Sequence, residues 1–156
     1  MSEWNQNIDA FIVLASKYKV RMIMVGGGAV NFHGYKRHSA DVDFWIEMKT
    51  ENLKNLVKVF RELDYEIEDF PDEVKEKKQN ISVKFSPQDL DLELITNFSL
   101  NKDFDESYRD SIEVFKNGSD TISWRILSLE DLIVSKIKAG RPKDLLDIQQ
   151  LQIKNP

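Results

Sequence analysis

A chain of 156 residues has the length of one ordinary domain and can bury a core of its own. Its 41% hydrophobic and 31% charged residues lie near globular averages, which excludes a disordered segment. A net charge of −5 excludes a protein built to coat a nucleic-acid backbone, though it leaves room for a locally basic acceptor site. The absence of cysteine rules out disulfides, thiolate zinc sites and cysteine nucleophiles. No secretory signal is visible from Met1 to Asn5, and no apolar run approaches the roughly 20 residues of a membrane helix. A cytoplasmic protein with no membrane association is therefore expected.

In chain order, Ile8, Phe11, Ile12 and Ala15 recur at helical spacing and predict a helix over Asn5–Tyr18. Met22–Val25 reads as a short buried strand that breaks into Gly26, Gly27 and Gly28. A short helix is expected over Ala29–His33, and a second strand over Val42–Ile46. Thr50 is placed to cap a helix with Leu53, Leu56, Val57, Phe60 and Leu63 on one face. The charged stretch Glu66–Lys78, with Pro71, reads as a loop or an exposed element. Ile81, Val83 and Phe85 alternate with polar residues as a half-buried strand does, and after Pro87 so do Leu90, Leu92 and Leu94.

A helix over Phe104–Asp110 and strands near Glu113–Phe115 and Ile122–Ile126 follow. Ser128 and Asp131 resemble a capping box opening a helix with Leu129, Leu132, Ile133 and Ile137 inward. A last helix is predicted over Lys143–Gln152. With no repeat, no low-complexity tract and no linker, residues 1–156 read as a single domain of α/β or α+β class, a small mixed sheet flanked by helices.

The chemistry concentrates between Met22 and Ile46. Glycines where a strand hands over to a helix let backbone approach a ligand and suit phosphate, although tight turns use them too. The segment matches neither the Walker pattern, which needs Gly-Lys-Ser/Thr, nor the dinucleotide pattern, since Asn31 stands where the third glycine belongs. Asp41 and Asp43 are two apart on a predicted strand, so both leave the same face, with Cα atoms roughly 7 Å apart. Two carboxylates on one face of an apolar strand repel, and a hard dication relieves that repulsion. Magnesium typically takes one or two carboxylates together with substrate phosphates.

Gly26-Gly27 followed by Asp41-Val42-Asp43 resembles the mark of the DNA polymerase β-type nucleotidyltransferase superfamily. Val25 to Val30 and His33 to Asp41 are similar to its small bacterial branch, which includes the abortive-infection toxin-type nucleotidyltransferases. The likeness continues through Phe104-Asp105-Glu106-Ser107-Tyr108, Leu129-Glu130-Asp131-Leu132-Ile133, Lys136, Arg141, Lys143-Asp144 and Asp147, and so covers nearly the whole chain. It implies the nucleotidyltransferase fold, an NTP substrate, two Mg²⁺ ions on Asp41 and Asp43, and transfer of a nucleoside monophosphate to an acceptor hydroxyl. It also implies a third carboxylate on a neighbouring strand to prepare that hydroxyl. Asp89, Asp91 and Glu93 share a strand face by alternation. Glu93-Leu94-Ile95-Thr96 occupies the slot that normally reads Asp-Leu-Leu-Thr, with Asp91 as the other candidate and Glu93 as a third metal ligand.

The remaining candidates are cations. Lys136 falls on an apolar helical stripe, where an ammonium must either snorkel outward or meet a phosphate or carboxylate. Arg141 follows one turn later, while Lys143 and Asp147 have the spacing of a surface ion pair. Lys36, Arg37 and His38 form a basic cluster before Asp41, from which Arg37 either contacts a triphosphate or an acceptor or lies in a solvated loop. Neither His33 nor His38 has a partner at zinc-ligand spacing. Gly26, Gly27, Gly28, Arg37, Lys136 and Arg141 are the candidate nucleotide-binding residues. Acceptors left open are a tRNA or other RNA end, a protein side chain and a small hydroxylated molecule such as an antibiotic. A different class also stays open: an idle binding module of the same fold, such as one partner of a toxin–antitoxin pair.

Overall fold

The computed structural model describes residues 6–37, 41–85, 91–117 and 122–156. His38, Asp89 and Leu90 lie outside the described residues. The element order is α1 (Gln6–Lys17), β1 (Met22–Val25), α2 (Gly26–Phe32), β2 (Asp41–Ile46), α3 (Thr50–Glu62), α4 (Asp72–Lys75), β3 (Ile81–Val83), β4 (Asp91–Ile95), α5 (Phe104–Asp110), β5 (Ile112–Lys116), β6 (Ile122–Ile126), α6 (Leu129–Ala139) and α7 (Pro142–Lys154). This is the mixed α/β architecture the sequence predicts.

The strands form one sheet in the order β3-β4-β2-β1-β6-β5. β1 runs antiparallel to β2 and parallel to β6, and β4 runs parallel to β2, with the short β3 and β5 closing the two edges antiparallel. The pairing sorts side chains onto two faces. One face carries Phe44, Ile46, Leu92 and Leu94, all fully buried. Phe11 of α1 packs on Phe44 at 6.2 Å and on Phe60 of α3 at 6.1 Å, so those two helices seal that side. The other face carries Asp41, Asp43 and Trp45 of β2 beside Asp91, Glu93 and Ile95 of β4. Trp45 anchors its far end between Phe98 (5.2 Å) and Phe104 of α5 (5.1 Å, edge-on).

Several local expectations change. The second helix begins at Gly26 rather than Ala29, so the glycines form its first turn. Thr50 does not cap α3: Lys49 is the N-cap and no side chain hydrogen-bonds there. The charged stretch after Glu66 folds around Phe70 and Val74, which are both buried, with α4 as a single turn. Ser128 does cap α6, accepting from the Asp131 backbone N–H at 3.1 Å, but the Asp131 carboxylate turns to Lys102 at 3.0 Å. Ile137 is not inward; it is 60% exposed. At about 100° per residue, Leu129, Leu132, Ile133 and Lys136 make one stripe, and Ile137 falls about 80° from Leu129. Among the described residues, no helix is long and apolar enough to cross a membrane.

Candidate active site

The register of the central strands builds the site. β2 and β4 pair in parallel with Asp41 opposite Asp91 and Asp43 opposite Glu93, so four carboxylates from two neighbouring strands share one sheet face. Adjacent strands lie about 4.8 Å apart, which puts these acids in one another's field. All four are half-buried. Burial first, then the charges of Asp41 and Glu93, push the Asp43 carboxyl up to about 6, against the opposing pull of Lys136 and Lys143. Glu93 is oriented from the edge of the sheet, where its Oε2 accepts a hydrogen bond from the Ser82 hydroxyl at 2.5 Å.

Gly26 closes on this cluster from the end of β1. Val25 pairs with Asp43, and the next residue turns into α2 with a left-handed φ of 62°. A Cβ at Gly26 would stand 2.2 Å from Asp43 Oδ2, so backbone lies directly against the carboxylate where any other residue would put a side chain. Gly28 is glycine for a different reason: its missing Cβ makes room for the Met24 sulfur, 2.8 Å away. Gly27 and Gly28 are buried, and of the three only Gly26 lines the cleft over Asp43.

That cleft, of about 210 Å³, lies among Gly26, Asp43, Phe98, Ser99, Lys136 and Arg141. Lys136 is 7% exposed on the buried stripe of α6 and reaches carboxylates, as one of its two predicted fates required. Its Nζ lies 3.0 Å from Asp147 and 3.4 Å from Asp144. Arg141 donates from Nε to Asp144 at 2.6 Å, and Arg37 sets its Nε 3.0 Å from Asp147. Asp144 and Asp147 are therefore buried hubs, not the solvated helix start that their spacing from Lys143 suggests. Burial opposes ionisation of Asp144, but hydrogen bonds from Arg141 and the charge of Lys136 outweigh it and hold the carboxyl below its usual range. The spacing of Lys143 from Asp147 predicts a surface ion pair for it. It is exposed and, among the described residues, makes no ion pair, yet its charge reaches Asp43.

Whether this acidic face fits magnesium can be judged from its donors. Among the described residues, no three acidic or histidine side chains converge into a ready-made metal cage. Magnesium does not need one, because it completes its octahedron with water and substrate phosphate. The donors here are all hard carboxylate oxygens, and burial together with the charges of Asp41 and Glu93 pushes the Asp43 carboxyl up, a penalty that a dication would relieve. The residues fit.

A mixed sheet with a glycine turn after its first strand and in-register carboxylates on the two strands beyond it in the sheet, β2 and β4, fits a nucleotidyltransferase. The family model described as "Nucleotidyltransferase of unknown function (DUF6036)" matches residues 5–155, and the chain belongs to that family. No curated protein matches it.

Proposed function

We propose that the chain binds an NTP with magnesium on the Asp41–Asp43 face and transfers its nucleoside monophosphate to an acceptor hydroxyl. The observation that carries this is the strand register that sets Asp43 against Glu93 and Asp41 against Asp91, with Gly26 cleared over Asp43. Asp41 and Asp43, with Glu93, would hold two Mg²⁺ ions, which when bound supply charge neutralisation at the phosphates. Gly26 leaves room for the triphosphate over Asp43. Lys136 and Arg141, lining the cleft, and Arg37, tied beside it through Asp147, balance its charge. In the transfer the acceptor oxygen bonds to the α-phosphorus and pyrophosphate leaves. The acceptor proton passes to a carboxylate oxygen of Glu93 or Asp91. An RNA end such as that of tRNA, a protein side chain or a small molecule would each provide the hydroxyl.

Incubation with labelled NTPs, Mg²⁺ and total RNA or protein tests this. Wild type should transfer label and Asp41→Asn should not; equal labelling by the two contradicts the assignment.

A second reading is favoured by one residue. Glu93 stands where the resemblance expects Asp, and its carboxylate is already engaged by Ser82. An idle binding module, one half of a toxin–antitoxin pair, would keep the fold without the transfer. Calorimetry separates the two: a module that binds only protein shows no Mg²⁺-dependent NTP affinity.

A further inference from the structure

The sheet face that carries the carboxylates has a second opening at its other end. β1 and β6 pair in parallel with Met24 opposite Ile126, which sets Arg125 beside Ile23 on the same side as Val25 and Asp43. Arg21, just before β1, points to that side as well, about 13 Å along the strand from Val25. Around these arginines, where the end of α1 and the start of β1 meet β6, lies a cavity of about 410 Å³, roughly twice the volume of the cleft over Asp43, to which α5 contributes Tyr108. Its polar lining includes Lys19, Arg21, Tyr108, Glu113, Ser123 and Arg125.

Both guanidiniums are fixed in place. The Tyr108 ring centroid lies 4.5 Å from the Arg21 Cζ and 4.7 Å from the Arg125 Cζ. Arg21 spends its Nη1 on Glu47 and, at 2.9 Å, on Asp105. Arg125 is different. Its Nε and Nη2 donate to the Ser111 hydroxyl at 2.6 Å and the Ser111 carbonyl at 3.0 Å, both neutral acceptors. Among the described residues it makes no ion pair, although Glu113 is its cross-strand neighbour. A half-buried guanidinium held rigid by neutral groups keeps its charge and its free Nη1 edge for something else. Lys19, exposed at the rim in a left-handed turn (φ 57°), adds a solvent-facing ammonium.

We propose that this cavity is a second anion site, which clamps the phosphoryl group of a nucleotide between Arg125, Arg21 and Lys19. Two rigid guanidiniums, Arg21 on the α1–β1 connection and Arg125 on β6, with the Lys19 ammonium at the rim of the same cavity, match an oxyanion with several oxygens better than a planar carboxylate. The volume admits a nucleotide rather than a bare ion. The nucleotide is either free or part of a strand lying along this face, and the site is independent of any chemistry at Asp43.

The test uses the whole protein in EDTA, so that the carboxylate face holds no metal. Titrate it with inorganic phosphate, a nucleoside monophosphate and a fluorescent single-stranded oligoribonucleotide. Lys19→Ala, at the exposed rim, and Ser123→Glu, which brings a negative charge into the cavity, should each weaken binding roughly tenfold or more without lowering the melting temperature. Arg125→Gln should do the same, and Asp43→Asn should leave binding unchanged. Preference for the oligonucleotide, with affinity falling steeply in salt, identifies a strand as the source; equal affinity for the monophosphate identifies a free nucleotide. The proposal is overturned if none of the three probes binds, or if Lys19→Ala and Ser123→Glu bind as wild type does.

Discussion

Replacing Asp43 by Asn should stabilise the metal-free protein while removing what the site is for. A folded-state value of about 6 against an ordinary 3.8 caps the cost of ionising this carboxyl in place at roughly 3 kcal/mol. Solvent at a half-buried group reduces that to about 1–2 kcal/mol. The sign follows from proton counts. Between pH 3.8 and 6 the folded protein keeps a proton on Asp43 that the unfolded chain has lost, so stability falls as pH rises through that window and is flat above it. Asn has no such loss. Urea melts in EDTA should therefore show no difference between the two proteins below about pH 4, a gap that opens across the window, and a constant advantage for Asn at pH 7.5. For a domain of this size the advantage corresponds to a rise in Tm of roughly 2–8 °C. Added Mg²⁺ should reverse the order, because the wild type gains more binding energy from the ion than a variant left with Asp41 and Glu93. An Asn variant no more stable than wild type at pH 7.5, or a gap independent of pH, would refute the electrostatic account of this face.

Further outcomes follow from the same geometry. Gly26→Ala combines a left-handed backbone with a Cβ against Asp43 Oδ2, so it should cost about 1–3 kcal/mol by denaturant melts and abolish nucleotide binding. Gly28→Ala should cost less, since the flexible Met24 side chain can move aside. Asp147→Asn leaves Arg37 facing a neutral group and Lys136 with Asp144 alone, and should cost about 1–3 kcal/mol. Arg141 is largely exposed, so Arg141→Ala should cost under about 1 kcal/mol in the same melts.

How far the site was legible depended on whether its partners were local. β1 and α5 fall over the residues expected of them: a short apolar run ended by glycines is a local feature, and so is the Asp103 side chain that caps α5 by accepting from the Glu106 N–H. The start of α2 was displaced because glycine has poor intrinsic helix propensity, while at Gly26 the close approach to Asp43 decides the residue type. Lys136 was legible as an anomaly on an apolar stripe, but its partners were not. Asp147 joins it to Arg37, which is 110 positions away in the chain, and no spacing rule reaches that far. Ile137 was misplaced by counting it into a stripe whose true fourth member is the lysine. Lys143 gives no local signal at all; its relevance comes only from the fold that carries the start of α7 toward Asp43.

The pairing of Asp43 with Glu93, and of Asp41 with Asp91, is the centre of the account. Its most direct test is isothermal titration of the wild type with each of the four NTPs, in Mg²⁺ and in EDTA, beside Asp43→Asn. At least one NTP should bind the wild type with an affinity that depends on Mg²⁺ and falls as pH drops below about 6, and Asp43→Asn should lose that dependence. NTP binding that is the same with and without the ion, or the same in the Asn variant, would contradict it.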